Sequence, residues 1–208
     1  MTAGARRVMV AVPALGFVPT HSLNAFLQLQ LPPGSGWRVF GGGTGIAALR
    51  NQLIRLFLEE SHRHFDDLLF LDADMVPAPD TVCRLLAHRR PVISALYVRR
   101  VGTPRLCCGS AAGPLQVVPR TPFGVAWTGL GCCLIQRQVL ARIPFPWCVD
   151  NDWGAGEDVD FGRRVAAAGF EIVVDPTIVV GHVGEPTPLG LEHALQAGVA
   201  QWAPDVMD

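Results

Sequence analysis

The sequence predicts an α/β fold, arranged as a three-layer α/β/α sandwich with a mostly parallel central sheet in a single domain over residues 1–208. Three observations predict this class. The length of 208 residues suits one domain. A composition of 50% hydrophobic and 17% charged residues supports a sizeable core and excludes a disordered chain. Apolar runs of strand length alternate with amphipathic stretches of helix length, as they do in such sandwiches.

The first elements show this alternation directly. The apolar run Val8–Val12 is typical of a strand, and Pro13 is expected to end it. A helix over 22–31 and a short strand over 37–40 follow, before a glycine-rich turn. Apolar residues at helical spacing then predict an amphipathic helix over 46–63.

The run Leu68–Leu71 is apolar throughout and too short for a helix of its own, which predicts a strand buried on both faces, as in parallel sheets. A helix over 79–88 and a strand over 91–96 continue the alternation. Residues 97–128 are rich in Gly and Pro and predict loops with a small hairpin. The expected elements after these loops are a strand at 132–136, a short helix near Gln138, a helix over 157–168 ended by Gly169, strands at 171–174 and 178–180, and a helix over 189–201.

Charge and cysteine content restrict the setting of the protein. A net charge of -1 argues against a long, sequence-independent grip on duplex nucleic acid, which needs many uncompensated cations. No apolar run reaches the roughly 18 residues of a membrane span. Arg6-Arg7 and the following apolar run imitate a signal peptide, but Pro13 interrupts it and no clear cleavage site follows. The six cysteines show no C-x-x-C spacing, so we expect reduced thiols and a cytoplasmic location.

Two carboxylates follow the buried strand at Leu68–Leu71. Ligands bind beyond the carboxyl ends of strands in open α/β sheets, and Asp72 and Asp74 lie there on the same side of the chain. Two ionised carboxylates about 6 Å apart repel by roughly 3 kcal/mol at an effective dielectric constant near 20. A hard divalent cation such as Mg²⁺ or Mn²⁺ would relieve that repulsion. The alternative is that both residues cap the following turn.

A second acidic group opens the helix expected at 157–168. Acidic residues are common at helix starts because they complement the helix dipole. The glycine-rich approach that contains Trp153 suits a lid, and it would place Asp158 to accept a proton from an acceptor hydroxyl. His182 follows the last apolar run between glycines, which leave its ring room to reach a metal, although a lone His after a strand is more often structural.

Four motifs in order resemble those of the GT-A fold glycosyltransferases, and specifically the small, family-two-like members of bacteria and phages. The resemblance covers residues 8–184. It is carried by Leu69-Phe70-Leu71-Asp72-Ala73-Asp74-Met75, by Thr128-Gly129-Leu130-Gly131-Cys132-Cys133-Leu134-Ile135, by Gly156-Glu157-Asp158-Val159-Asp160-Phe161, and by Val174-Asp175-Pro176 with Gly181-His182. It implies a Rossmann-like, nucleotide-binding half over about 1–96 and an acceptor-binding half over about 97–208.

The resemblance also implies the ligands and their contacts. The donor would be a nucleotide-sugar, UDP-glucose or another UDP-hexose, held through its diphosphate by Mn²⁺ or Mg²⁺. Asp74 and His182 would bind the ion directly, with Asp72 near the ribose and the metal-bound waters. The other residues implied to contact the nucleotide or the sugar are Pro13, Thr20, Arg50, Asn51 and Trp153.

By the same resemblance, Glu157 would hold an acceptor or sugar hydroxyl, and Asp158 would be the base of an inverting displacement. The acceptor hypothesis is hydroxymethylated pyrimidine in phage DNA, because the segment after the first half is the most basic part of the chain. A glycan or lipid-linked acceptor is the alternative. The residues that mark the basic segment are Tyr97, Arg99, Arg100, Arg105 and Arg120.

Two functions of other classes remain open. Gly43-Thr44-Gly45-Ile46-Ala47-Ala48 matches a loose dinucleotide fingerprint, with Glu59 and Glu60 at about the right distance, and would indicate an NAD(P)-dependent oxidoreductase. That fingerprint normally follows the first strand, however, and this one follows the second. A non-catalytic nucleotide-sugar-binding module could keep the metal site without a base.

Overall fold

The computed structural model describes residues 6–42, 45–60, 65–99, 102–150, 156–184, 188–198 and 200–203. In chain order the strands are β1 (Val8–Ala14), β2 (Gly36–Gly41), β3 (Asp67–Leu71), β4 (Met75–Val76), β5 (Val92–Leu96), β6 (Cys108–Ser110), β7 (Gly113–Pro114), β8 (Val117–Val118), β9 (Phe123–Val125), β10 (Trp127–Thr128), β11 (Cys132–Gln136), β12 (Ile172–Val179), β13 (Gly181–Val183), β14 (Pro188–Leu189) and β15 (Gln201–Trp202). The helices are α1 (Thr20–Gln28), α2 (Ile46–Glu60), α3 (Thr81–Ala87), α4 (Arg137–Arg142), α5 (Glu157–Ala167) and α6 (Leu191–Gln196).

The main sheet has seven strands among the described residues, in the order β2-β1-β3-β11-β5-β12-β9. Strand β1 pairs in parallel with β2 and β3, and β5 pairs in parallel with β12. Strand β11 runs antiparallel between β3 and β5, and β9 runs antiparallel at one edge. The predicted single-domain α/β fold is confirmed. The sheet is mixed, with five of these seven strands running in one direction.

Helices cover both faces of the sheet because its strands are apolar on both sides. On one face Met9 and Phe70 pack against Leu53 and Phe57 of α2, with α4 and α5 in the same cluster. On the other face the intervening strand residues form a second cluster with α1 and α3. The run predicted to be buried on both faces is fully buried over Leu68–Leu71.

Strand β1 differs from the prediction, because it continues through Pro13 to Ala14. Past Ala11 this strand pairs only with β2, where Pro13 lies opposite Phe40. On the side away from β2, no strand is present to accept a hydrogen bond from a backbone amide at this point. A proline, which has no amide proton, is therefore tolerated.

Two further segments are more regular than expected. Residues 97–128 form five short strands among the described residues, rather than loops with one hairpin. The two strands predicted at 171–174 and 178–180 are one strand, β12, whose register with β5 shifts between Asp175 and Val179. That irregularity allows the strand to continue through Pro176. The sequence predicted two strands because the proline interrupts the apolar pattern between them.

The carboxyl ends of β1, β2, β3, β5 and β12 lie at one edge of the sheet, because these strands run in the same direction. Strand β11 begins at this edge, where Cys132 lies opposite Leu71. Residues that follow β3 and β5 and those that precede β11 are thereby brought together. In the part of the chain that is described, no helix has the length and apolarity required to cross a bilayer.

Candidate functional site

A small antiparallel sheet brings the two predicted direct metal ligands together. After β3, the Met75 amide donates to the Asp72 carbonyl oxygen at 3.0 Å, which closes a turn into β4. Strand β4 pairs with β13, and His182 lies opposite Met75. The Val183 amide also donates to the Asp74 carbonyl oxygen, at 2.8 Å. The backbone therefore fixes His182 beside Asp74, although they are far apart in sequence.

The Asp74 and His182 side chains face each other with Oδ2 and Nε2 3.3 Å apart. The Nδ1 atom of His182 lies 2.9 Å from the Val98 carbonyl oxygen, which can only accept a hydrogen bond. Nδ1 must therefore carry a proton, and in a neutral ring Nε2 presents a lone pair toward the carboxylate. Two such acceptors at this distance require a proton or a cation between them. The donor set fits a divalent metal, with Nδ1 oriented as in many metal-binding histidines.

The third predicted ligand, Asp72, is directed elsewhere. Its carboxylate lies 3.0–3.1 Å from Nη2 of Arg50, and its Oδ1 is buried without a hydrogen bond of good geometry. Burial raises the pKa of Asp72, and the Arg50 charge opposes that rise. The described residues contain no group of three or more His, Cys, Asp or Glu arranged to hold a metal. Direct coordination by Asp72 stays a prediction.

Arg50 is the centre of the site and is only 2% exposed. Its Nη2 donates to Asp72, its Nε donates to Glu157 Oε1 at 3.1 Å, and its Nη1 donates to the Leu130 carbonyl oxygen at 3.3 Å. Burial alone would lower the pKa of Arg50. The charges of Asp72 and Glu157 outweigh that effect, so the net pKa is raised and Arg50 keeps its charge. The predicted direct contact of Arg50 with a donor competes with these three bonds.

The sequence carried a signal for this role that the motif analysis missed. Within α2, Arg50 lies at helical spacing from Leu53, Ile54 and Phe57, which are all fully buried. An arginine on the apolar stripe of an amphipathic helix has to find carboxylate partners in the interior, because an unpaired buried cation is very costly.

The acidic first turn of α5 places Glu157 and Asp158 next to this arginine. Glu157 is held by Arg50, and Asp158 Oδ1 accepts from the Val159 amide at 2.8 Å. Burial, followed by the charge of Glu157, raises the pKa of Asp158 to about 6. A carboxylate with that pKa is a stronger base than an ordinary aspartate and is still mostly ionised at neutral pH.

Tyr97, which follows β5, helps to position both Asp72 and His182. Its hydroxyl accepts from the Gly131 amide at 2.8 Å, and the Gly131 carbonyl oxygen accepts from the Asp72 amide at 2.9 Å. Its ring meets the His182 ring edge-on, with centroids 5.8 Å apart. A Cβ atom at Gly131 would lie 2.8 Å from the Tyr97 hydroxyl, so the close approach requires glycine. In the sequence, Tyr97 is marked only by its place in a basic segment.

The other predicted site residues differ in whether they reach the pocket. Pro13 lines the pocket beside the acidic turn, and Thr20 is exposed at the start of α1. The Asn51 amide is engaged by backbone: its Nδ2 donates to the Cys148 carbonyl oxygen at 2.7 Å, and its Oδ1 accepts from two amides of the same loop. Trp153 lies outside the described residues. Contacts of these residues with a donor stay predictions.

A pocket of about 400 Å³ opens between the loop after β1 and the turn after β3. One end holds the Asp74–His182 pair, and the remaining wall is mostly apolar. Its lining residues are Pro13, Leu15, Gly16, Phe17, Pro19, Ile46, Asp72, Ala73, Asp74 and His182. A larger groove of about 660 Å³, next to β9 and α5, contains none of the predicted site residues. The smaller pocket can take a ligand with a charged group at one end and an apolar, ring-sized group at the other.

Comparison by sequence finds no family model and no curated protein that matches the chain. Comparison of structures finds similar folds. A197 from STIV superposes with a TM-score of 0.69 and 20% identity, over 90% of this chain and 91% of that one. GalNAc-T7, in its structure with UDP, GalNAc and Mn²⁺, gives a TM-score of 0.54 and 12% identity over 93% of this chain. S. aureus TarS 1-349 in complex with UDP-GlcNAc gives 0.48 and 13% identity, over 88% of this chain and 57% of that one.

This chain covers 48% of the GalNAc-T7 chain, so it spans about half of that protein's length. At these identities the likeness concerns the fold. The predicted fold of the GT-A glycosyltransferases is confirmed in this sense, whereas the family-two, phage-type assignment stays a prediction.

Replacement of Arg50 by Met should destabilise the protein strongly, because Asp72 and Glu157 would become buried, uncompensated charges. We expect Arg50→Met to lower the free energy of unfolding at pH 7.5 by about 3–5 kcal/mol. The loss should shrink at pH 5, because burial raises the pKa of Asp72 and favours its neutral form once the arginine is removed. Urea denaturation at both pH values measures it. Arg55→Met, at an exposed position of the same helix, is the control, and equal stability of the two variants would contradict the bridging role.

Proposed function

We propose that this protein is a metal-dependent glycosyltransferase that moves a hexose from a UDP-sugar to an acceptor hydroxyl. The observation that carries the proposal is the Asp74–His182 pair, whose facing acceptor atoms lie 3.3 Å apart at one end of the pocket. The GT-A-like fold supports it, as does the structure of GalNAc-T7 with UDP, GalNAc and Mn²⁺. We also propose that it belongs to the small, family-two-like type of bacteria and phages.

The residues present fit a bound divalent ion. Asp74 would supply an oxygen ligand and His182 its Nε2, with the ring held by the Val98 carbonyl oxygen. Mn²⁺ or Mg²⁺ bound there would supply electrostatic stabilisation of the charge that develops on a leaving diphosphate. Asp72, paired with Arg50 at 3.0 Å, is proposed to lie near the ribose and the metal-bound waters.

The apolar wall of the pocket suits the nucleoside end of the donor. Pro13, Leu15 and Phe17 line it, and Phe17 is 82% exposed, so its ring is available to a planar base. Thr20 follows at the start of α1 as a proposed polar contact. Asn51 is proposed to act on the sugar side by holding the backbone of residues 147–148.

The proposed chemical step is an inverting displacement with Asp158 as the base. As the acceptor oxygen bonds to the anomeric carbon and the bond from that carbon to the diphosphate breaks, Asp158 takes the hydroxyl proton. Its raised pKa makes it a better proton acceptor than an ordinary aspartate. Glu157, oriented by Arg50, is proposed to hold the acceptor or sugar hydroxyl, and Trp153 to cover the sugar.

The acceptor we propose is the hydroxymethyl group of a modified pyrimidine in DNA. Three exposed arginines of the middle segment, Arg99, Arg105 and Arg120, support it, because a few phosphates around an extruded base need only a short basic patch. A mass-spectrometric screen of UDP-hexoses with Mn²⁺ should show a hexose added to hydroxymethylated but not to unmodified DNA. A hexose gained only by glycans or lipid-linked sugars would show that the acceptor proposal is wrong while leaving the enzyme class intact.

Donor binding should raise the thermal stability of the protein only when a divalent ion is present. At UDP concentrations about 100 times Kd, with Mn²⁺, the gain of about 2.7 kcal/mol corresponds to a rise in Tm of roughly 5–10 °C. His182→Ala should lose that rise, because the pair at the pocket end is broken. His193→Ala, in the C-terminal helix α6, should keep it.

Differential scanning fluorimetry with UDP, with and without Mn²⁺, measures these shifts. NADH in place of UDP should leave Tm unchanged. A rise in Tm with NADH alone, or a rise with UDP that is indifferent to chelation of the metal, would contradict the proposed donor site.

The pH dependence of turnover should report Asp158. Turnover should increase as pH rises through about 6, where the carboxyl loses its proton. Asp158→Asn should abolish turnover and retain the Tm shift with UDP and Mn²⁺, whereas Asp160→Asn in the same helical turn should keep both. Initial rates between pH 5 and 8 measure this. Undiminished turnover in Asp158→Asn would exclude this base, and binding of the donor without turnover in the unchanged protein would indicate a binding module.

Protein stability should change with pH in the opposite sense. Because the pKa of Asp158 is higher in the folded chain than its ordinary value near 4, the folded state binds the proton more tightly. This contribution to stability is therefore lost as pH rises from about 4 to about 6, and it should be absent in Asp158→Asn.

A further inference from the structure

An apolar surface lies where α1 meets the edge of the main sheet. A groove of about 330 Å³ runs between them and is lined by apolar side chains throughout: Val12, Val18, Leu23, Phe26, Leu27, Leu29, Trp37 and Val39. Leu27 is 77% exposed and Val39 is 58% exposed, so the apolar lining of the groove reaches the surface. Apolar surface of this kind marks an interaction site more often than chance exposure.

The sheet edge beside this groove is open. Strand β2 is the outermost strand, six residues long, and within the described residues it pairs only with β1. It contains no proline or lysine, which commonly protect edges. The opposite edge strand, β9, has three residues and follows Pro122, so it offers little to pair with. The long edge can accept another strand through its backbone.

The charge pattern favours a second copy of this chain as the occupant. Between Arg7 and Arg38 the sequence contains no Asp, Glu, Lys or Arg. In a contact with two-fold symmetry, a charge close to the axis would face its own sign, and a neutral patch avoids that repulsion. An anionic membrane would instead call for a cluster of basic residues within the patch.

We propose that two copies of this protein associate through β2, which pairs antiparallel with its counterpart and extends the seven-stranded sheet across a two-fold axis. A register centred on Val39 places Val39 opposite itself and Arg38 opposite Phe40, whereas one centred on Arg38 would oppose two like charges. With the axis perpendicular to the sheet, both α1 helices lie on the same face. Leu27 of each copy then packs across the joined groove.

Sedimentation velocity at tens of micromolar protein tests the association. The unchanged protein should sediment with twice the mass of the chain, and Leu27→Asp should sediment as a single chain. Val117→Asp, at another exposed valine, in β8, should remain a dimer. Circular dichroism and Tm establish that each variant is folded. A single-chain mass for the unchanged protein overturns the proposal, and flotation of that single chain with neutral phosphatidylcholine vesicles would assign the surface to a membrane.

Oxidative cross-linking tests the register. In an antiparallel pair, opposed Cα atoms lie about 4.5–5.5 Å apart, within the range a disulfide spans. In a Cys83→Ser background, which removes the exposed native thiol, Val39→Cys should give a covalent dimer on mild oxidation. Val117→Cys in the same background should not. A dimer that is insensitive to Leu27→Asp, or that fails to cross-link at position 39, contradicts the proposed pairing.

Discussion

The site depends on one buried cation. Arg50 bonds to a carboxylate that follows β3, to a carboxylate in the first turn of α5, and to a carbonyl oxygen just before β11. These three segments come from distant parts of the sequence, and each bond removes a cost that burial would otherwise impose on its partner. The guanidinium fork suits this task because its donors point in fixed directions, which a lysine ammonium cannot reproduce. The arginine thereby sets the distance between the proposed donor and acceptor sides.

Around this centre, backbone geometry does most of the positioning. The β4–β13 pairing places His182 against Asp74, and the Val98 carbonyl oxygen determines which ring nitrogen carries the proton. Tyr97 contacts both the Gly131 amide and the His182 ring. These positions are fixed by contacts that the chain makes with itself. The site is therefore largely preorganised, which is how electrostatic stabilisation of a transition state avoids reorganisation at the moment of reaction.

The fold class followed from the sequence because the apolar runs are encoded locally, whereas the meeting of Asp74 with His182 was implied by the resemblance to the GT-A glycosyltransferases. The role of Arg50 did not, since its partners are distant in sequence and only the sheet order reveals them. The continuation of β1 through Pro13 was also missed, because the cost of a proline depends on which neighbour is present at that point of the strand. For Asn51, the resemblance implied a ligand contact, and no sequence pattern indicated that its amide also bonds the backbone of residues 147–148.

The reversed direction of β11 has a consequence for how such a protein can diversify. The chain leaves β5 and returns to the neighbouring strand β11 at the same edge, after adding β9 to the far side of the sheet, and the Tyr97 hydroxyl accepts from the Gly131 amide at 2.8 Å where the two ends meet. The stretch between β5 and β11 is thus a closed excursion, because this hydrogen bond holds its two ends together. Lengthening such a closed excursion adds little entropy cost and leaves the neighbouring strands in register. Recognition of a new molecule could evolve there by exchange of the loops between its short strands, while β9 keeps its place in the sheet and the site stays intact.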